Sequence, residues 1–318
     1  MAEHRATSIA LVFLIVFPSF LTGCATSPEA RTAQVERHAQ QAALILANRT
    51  DADSLATAGV LSRGGILSQE RHPDRSLVLL AQAAAAAPER PELAWLQAQA
   101  CQAAPPCEAE PLERRLRALD PSNGAGWMGA LARADASADA AALDAALATI
   151  STSDRVDIYW TTLVAHLSRA ASQAGTVSLS EAQVMIIGYL AAEAIPAYQA
   201  ASHACKGERL QKPGNTEICR GVAKAFERGD TYITEMVGIA IAKRVWPGDS
   251  PEYKAAVEAR RVYEYRADKF AKSDLLISTR PDQAAEKYLA LCEQNHREQD
   301  VFIAQLIEAG ENPNPPPE

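Results

Sequence analysis

Apolar side chains in this chain recur at three- and four-residue intervals, the period of an amphipathic helix. Ile233, Met236, Val237, Ala240, Ile241 and Val245 line one such face. Ala285, Tyr288, Leu289, Cys292, Phe302, Ile303 and Leu306 line a second, on a helix predicted over residues 281–309. His296 and Gln299 interrupt that second stripe, and His296 is expected to face inward. Boundary signals recur along the chain. Pro73 and Pro91 sit where a first helical turn tolerates proline, and Ser178-Leu179-Ser180-Glu181 has the spacing of a capping box. Ser250-Pro251-Glu252 sets a cap, a first-turn proline and an early acid in sequence. Gly310 stands in a helix-stop position, and the proline-rich residues 311–318 are predicted to be a disordered tail. The pattern reads as an all-α protein.

Trp95, Trp127 and Trp160 are spaced by 32 and 33 residues, each after a helix end and a turn. A second helix, such as Pro111–Leu119, fits between successive tryptophans. Two helices per unit with an early Trp resembles the tetratricopeptide repeat. The family's later Gly and Tyr positions are not matched: Gln99, Leu131 and Val164 stand at one, Gln102, Ala134 and Leu167 at the other. The resemblance implies a helical-hairpin array over residues 33–175, preceded by a short tether at 24–32. Composition changes near residue 176: every lysine lies at 206 or later, and seven of the eight tyrosines follow residue 180. A heavier helical C-terminal domain is therefore expected over 176–310.

At the other end, a short polar start precedes the nine apolar residues Ile9–Phe17. That run suits a signal-peptide core and is shorter than the ~20 residues that span a bilayer. Pro18 interrupts it before Leu21-Thr22-Gly23-Cys24, which resembles the lipobox of bacterial lipoproteins. The resemblance implies that residues 1–23 are a signal peptide and that Cys24 is the lipid-attachment site. Two acyl chains give stable anchoring, at about 0.8 kcal/mol per buried methylene. Ala25, rather than Asp, follows the cysteine, which in that family implies the outer membrane, periplasmic face.

The hydrophobic share of 48% supports a sizeable core, and its abundant alanine favours helix. A net charge of −8 argues against nucleic acid as a partner, since that needs clustered Lys and Arg. In an oxidising compartment the remaining cysteines are expected to pair. Cys101 and Cys107 flank Pro105-Pro106, and Cys205 and Cys219 flank Pro213-Gly214, so both pairs straddle predicted turns. A Cys205–Cys219 bridge would contribute roughly 3 kcal/mol. Other pairings remain open, and Cys292 is left over as a buried helix-face thiol.

Candidate chemistry is sparse. Of His38, His72, His166, His203 and His296, none falls in a metal-helix spacing. His203-Ala204-Cys205 holds two metal-ligand types, but Cys205 is the expected partner of Cys219. No nucleophile elbow, Ser-x-x-Lys motif or phosphate loop occurs. Glu227, Asp230 and Glu235 are acids that read as solvated faces and caps. The alternating charges between Lys254 and Lys272 read as a salt-bridged solvent face, with Tyr253, Tyr263 and Tyr265 beside it. No catalytic residue, metal or cofactor is expected, and the chain is not read as an enzyme. The expected role is a membrane-anchored scaffold that binds an envelope protein partner. An envelope enzyme with an unrecognised site, or a purely structural lipoprotein, stands as the alternative.

Overall fold

The computed structural model describes residues 28–63, 72–102, 104, 106–272 and 279–316. Cys24 and the segment read as a signal peptide lie outside the described residues. The described residues form fourteen α-helices and two short 3-10 turns without a strand, an all-α fold. The chain divides into residues 1–35 and residues 36–318. The described part of the first, 28–35, is the opening of α1 (Pro28–Leu46). Helix therefore takes the second half of the stretch read as a tether.

Within residues 36–318 the helices follow as short hairpins. They are α2 (Ala52–Ser62) with α3 (Pro73–Ala86), α4 (Pro91–Gln102) with α5 (Glu110–Leu119), and α6 (Met128–Ala136) with α7 (Ala140–Ser151). Next come α8 (Trp160–Gln173) with α9 (Leu179–Ala204), then α10 (Asn215–Glu227) with α11 (Tyr232–Val245). The predicted signals act as read at several ends. Ser178 and Glu181 close a reciprocal capping box at the start of α9, and Gly310 adopts φ +77° after the last helix. Asp51, Asp139 and Thr231 cap α2, α7 and α11 by accepting backbone N–H bonds.

The packing does not confirm a regular tetratricopeptide stack. α8 packs on α2 and on α13 (Pro281–Gln294) as well as on α9, and α9 packs on α6. The three tryptophans are not equivalent. Trp95 is buried within α4 and Trp160 opens α8. Trp127 is half-buried in a 3-10 turn, with the Arg117 guanidinium 4.1 Å above its ring. The compositional change at 176 is not a break in packing, because α7 meets α10, α8 meets α13, and one apolar cluster runs from Ala39 to Val301.

α9 is the one helix among the described residues long and apolar enough to cross a membrane, and 47% of its most apolar window is buried. Ala182, Ile186, Leu190, Ala200 and Ala201 place it in the core.

The helix predicted over 281–309 is two helices, α13 and α14 (Glu298–Glu308), parted at Asn295, whose backbone is extended. His296 at that break is exposed rather than inward, and Gln299 is the residue that goes inside. The buried residues of α11 are Tyr232, Thr234, Gly238, Ile239, Ile241, Ala242 and Val245, a face rotated from the predicted stripe though Ile241 and Val245 belong to both. Gly238 explains the rotation: a Cβ there would stand 2.5 Å from the Glu227 amide nitrogen and 2.9 Å from the Ala223 carbonyl oxygen of α10. Both obstacles are backbone, so α10 and α11 would have to part. Gly238→Ala is expected to lose about 1–2 kcal/mol, because overpacking outweighs the roughly 1 kcal/mol gained in helix propensity. Urea unfolding followed by circular dichroism measures it, and an unchanged midpoint would show the contact to be loose.

Candidate functional site

The cysteines come together as predicted. Cys101 at the end of α4 bonds Cys107 across the turn before α5, and Cys205 at the end of α9 bonds Cys219 of α10. Cys292 is a buried free thiol, and burial pushes it up to about 12 against the opposing hydrogen bond of Tyr288. A thiol held that far from ionisation is an inert packing group. His203 is exposed, 3.4 Å from the Asp135 carboxylate and apart from metal-binding company. Among the described residues no group of three or more His, Cys, Asp or Glu side chains is placed to hold a metal ion.

A polar junction that sequence reading missed joins four loops. Asn123, 3% exposed, follows α5 and holds the strand-like stretch before α8. Its Oδ1 accepts from Asp157 N at 2.9 Å, and its Nδ2 donates to the Asp157 carbonyl at 2.9 Å and to the Tyr159 hydroxyl at 3.2 Å. Arg155 binds Asp120, Ser122 and Asp157. These bonds hold Tyr159 in the left-handed region at φ 61°, an uncommon conformation for a bulky residue.

Asp230, 1% exposed in the α10–α11 turn, completes the junction. Its carboxylate accepts from Ile158 N at 3.0 Å and Trp160 N at 2.7 Å, so it caps α8 from seventy residues away. The start of α14 then clasps the same turn. Arg297 donates to the Gly229 carbonyl at 3.1 Å, Gln299 to that of Thr231 at 2.9 Å, and Glu298 N to that of Asp230 at 2.8 Å. The Glu298 carboxylate in return accepts from Tyr232 N at 2.8 Å.

Burial sets the electrostatics here. Desolvation, then the neighbouring Asp157, raises Asp230 well above the usual carboxylate range. Desolvation pushes Glu298 up to about 7. Glu227 and Glu235, read as solvated, are half-buried, and desolvation raises both. Asp230, Glu298, Asp120 and Asp157 are each engaged by a backbone donor or by Arg155, which makes the junction a clasp between loops.

A second charged cluster ties α2, α4 and α8. Arg90 donates to Asp53 at 2.7 Å and to Glu92 at 2.5 Å, and its other nitrogen lies 3.0 Å from His166 Nδ1. The hydrogen bond from His166, with Arg90 beside it, holds Asp53 down to about 2. The described groove of about 220 Å³ lies elsewhere, where α1 crosses the end of α2, the start of α3 and the middle of α9. Ala39, Ala43, Leu44 and Leu61 give it an apolar floor, with Glu36, His72, Arg75 and Tyr189 as polar neighbours. Leu44 is 52% exposed there, next to Ile45 at 37%. Such a mixed, open cleft suits a peptide segment better than a small molecule, which wants deeper enclosure. Comparison with protein-family models, curated proteins and solved structures gives no match.

Proposed function

We propose that this chain is a lipid-anchored lipoprotein of the bacterial envelope that works as a helical scaffold for a protein partner, tethered through Cys24. The observation that carries the reading is Leu21-Thr22-Gly23-Cys24 placed directly after the apolar run Ile9–Phe17. The two disulfides support an oxidising compartment, because such bonds are kept reduced in the cytosol. The groove beside the exposed Leu44 and Ile45 supports a binding role, and Ala25 supports sorting to the outer membrane.

Cys24→Ser is the test. In a bacterial host, the native chain should incorporate labelled palmitate and sediment with membranes. The variant should take up no label and shift by more than about tenfold into the soluble fraction, since the acyl chains supply the anchoring free energy. Crosslinking in intact cells should capture a discrete envelope complex with the native chain only. Membrane association unaffected by the substitution would overturn the anchor, and the absence of any stoichiometric partner would overturn the scaffold.

A further inference from the structure

Residues 311–316 are not the disordered tail that their composition predicts. Gly310 follows the end of α14, and its left-handed backbone lets Glu311 N reach the Leu306 carbonyl at 2.9 Å. That reversal, a Schellman-type stop, lays the following segment along α12 (Pro251–Lys272). Lys269 donates to the Glu311 carboxylate at 2.6 Å. Arg266 donates to the Pro313 carbonyl at 3.0 Å and to Asn314 Oδ1 at 3.3 Å. Arg261 donates to the Pro316 carbonyl at 3.0 Å.

The order of contacts fixes the geometry. As the segment advances from 311 to 316, its partners on α12 retreat from 269 to 261, so the two run in opposite directions. Eight helical residues rise about 12 Å, and five residues of polyproline II rise about 15 Å. The lengths agree for a segment that is extended apart from a bend at Pro313-Asn314. Burial alternates to match: Glu311, Pro313 and Pro315 are half-buried, while Asn312, Asn314 and Pro316 are exposed. Proline offers a carbonyl and no N–H, so the Pro313 and Pro316 carbonyls are held by donors from α12, while Asn314 N donates within the segment to Asn312 Oδ1 at 3.0 Å. Arg261, Arg266 and Lys269 are donors spaced along one helix, and the Lys269 ammonium lies 5.9 Å above the Tyr265 ring. Cations beside an aromatic ring, facing carbonyls of prolines that have no N–H of their own, form a complementary pair.

We propose that this face of α12 is a docking surface for extended proline-rich segments, which residues 311–316 occupy as an internal ligand that an external segment of the same chemistry displaces. The proposal deepens the scaffold reading by naming the chemistry of a partner, and rests on that reading for there being one. It is tested on purified protein, so its failure and the failure of the Cys24 anchor are separately visible.

The probe is a fluorescent peptide of sequence Glu-Asn-Pro-Asn-Pro-Pro-Pro-Glu, titrated by anisotropy into the full chain and into the full chain carrying Pro313→Gly, Pro315→Gly and Pro316→Gly. Glycine abolishes the preorganised conformation and releases the internal segment. A tethered segment competes at an effective concentration near millimolar, so the variant should bind the peptide at least about tenfold more tightly than the native chain. Adding Arg266→Ala should remove that gain while leaving the helical circular dichroism unchanged. A peptide with glycine in place of each proline should bind at least about tenfold more weakly, which separates proline recognition from attraction of an acidic peptide to a basic face. Equal binding by native chain and variant, no binding by either, or equal binding of both peptides would overturn the proposal. A native dimer that the peptide dissociates would assign the face to the segment of a second copy and overturn it as well.

Discussion

Asp230→Ala is expected to lower the unfolding free energy by about 3 kcal/mol or more. Its two carboxylate oxygens accept from Ile158 N and Trp160 N inside the core. Each buried donor left without a partner costs about 1–3 kcal/mol, and alanine orphans both at once. The loss would also free the stretch before α8, whose Tyr159 holds φ 61° only because its surroundings fix it. Asp230→Asn should fall in between. Asparagine keeps one acceptor but turns an amide donor toward the other N–H. Urea unfolding at fixed pH, followed by circular dichroism, gives the difference. A loss below about 1 kcal/mol for the alanine variant would mean that water or a neighbouring group replaces the carboxylate, and that the junction is not what holds the loops.

That junction also shows where sequence reading stops. The helices were legible because their signals are local: Ser178 and Glu181 stand three residues apart, and Cys205 and Cys219 fourteen. Asp230 and Trp160 stand seventy apart, and nothing near either residue names the other. Glu227, Asp230 and Glu235 therefore read as caps and solvated faces until the fold buried them. The single helix over 281–309 failed for a different reason. Cys292 and Phe302–Ile303 are about three helical turns apart, so the apolar stripe stays in register across the break. The interruption at His296 and Gln299 was the visible sign of it. Gln299 turns inward because the α10–α11 turn needs its amide at the Thr231 carbonyl. His296 can stay in solvent because the chain has already left the helix at Asn295.

The segment 311–316 misled through composition. Prolines cannot continue α14, which is a statement about helix formation and not about disorder. The donors that hold the segment sit on α12, forty to sixty residues earlier, where their alternation with Glu258, Glu264 and Asp268 read as a salt-bridged face. Part of that reading stands: Arg260 pairs with Glu264 and Arg261 with Glu258. Arg261 serves two purposes, binding Glu258 and the Pro316 carbonyl together. The tryptophan spacing is a regular interval that falls on two buried helical sites and one half-buried turn.

The second large effect concerns pH. Burial pushes the Glu298 carboxyl up to about 7, from the 4.5 of an unperturbed glutamate. Between those values the unfolded chain has lost the proton and the folded one still holds it. Stability must therefore fall as pH rises through that window, by about 3 kcal/mol for a shift of this size. Asp230, raised by burial and by Asp157, adds a loss of the same sign. Asp53 works the other way. Held down to about 2 by His166 and Arg90, it contributes stability that is present above its unfolded value of 3.8 and lost as pH falls toward 2. Maximum stability is thus expected near pH 4–5, with a decline toward neutrality that is unusual for a folded domain. Glu298→Gln keeps an acceptor for Tyr232 N and cannot ionise, so it should flatten the decline between pH 5 and 8 and leave the variant more stable than the native chain at pH 8. Unfolding free energies at unit pH steps decide the matter. A native curve that rises from pH 5 to 8, or a glutamine variant with an unaltered slope, would show that the carboxyl is reached by water and that the clasp between α11 and α14 is looser than its hydrogen bonds imply.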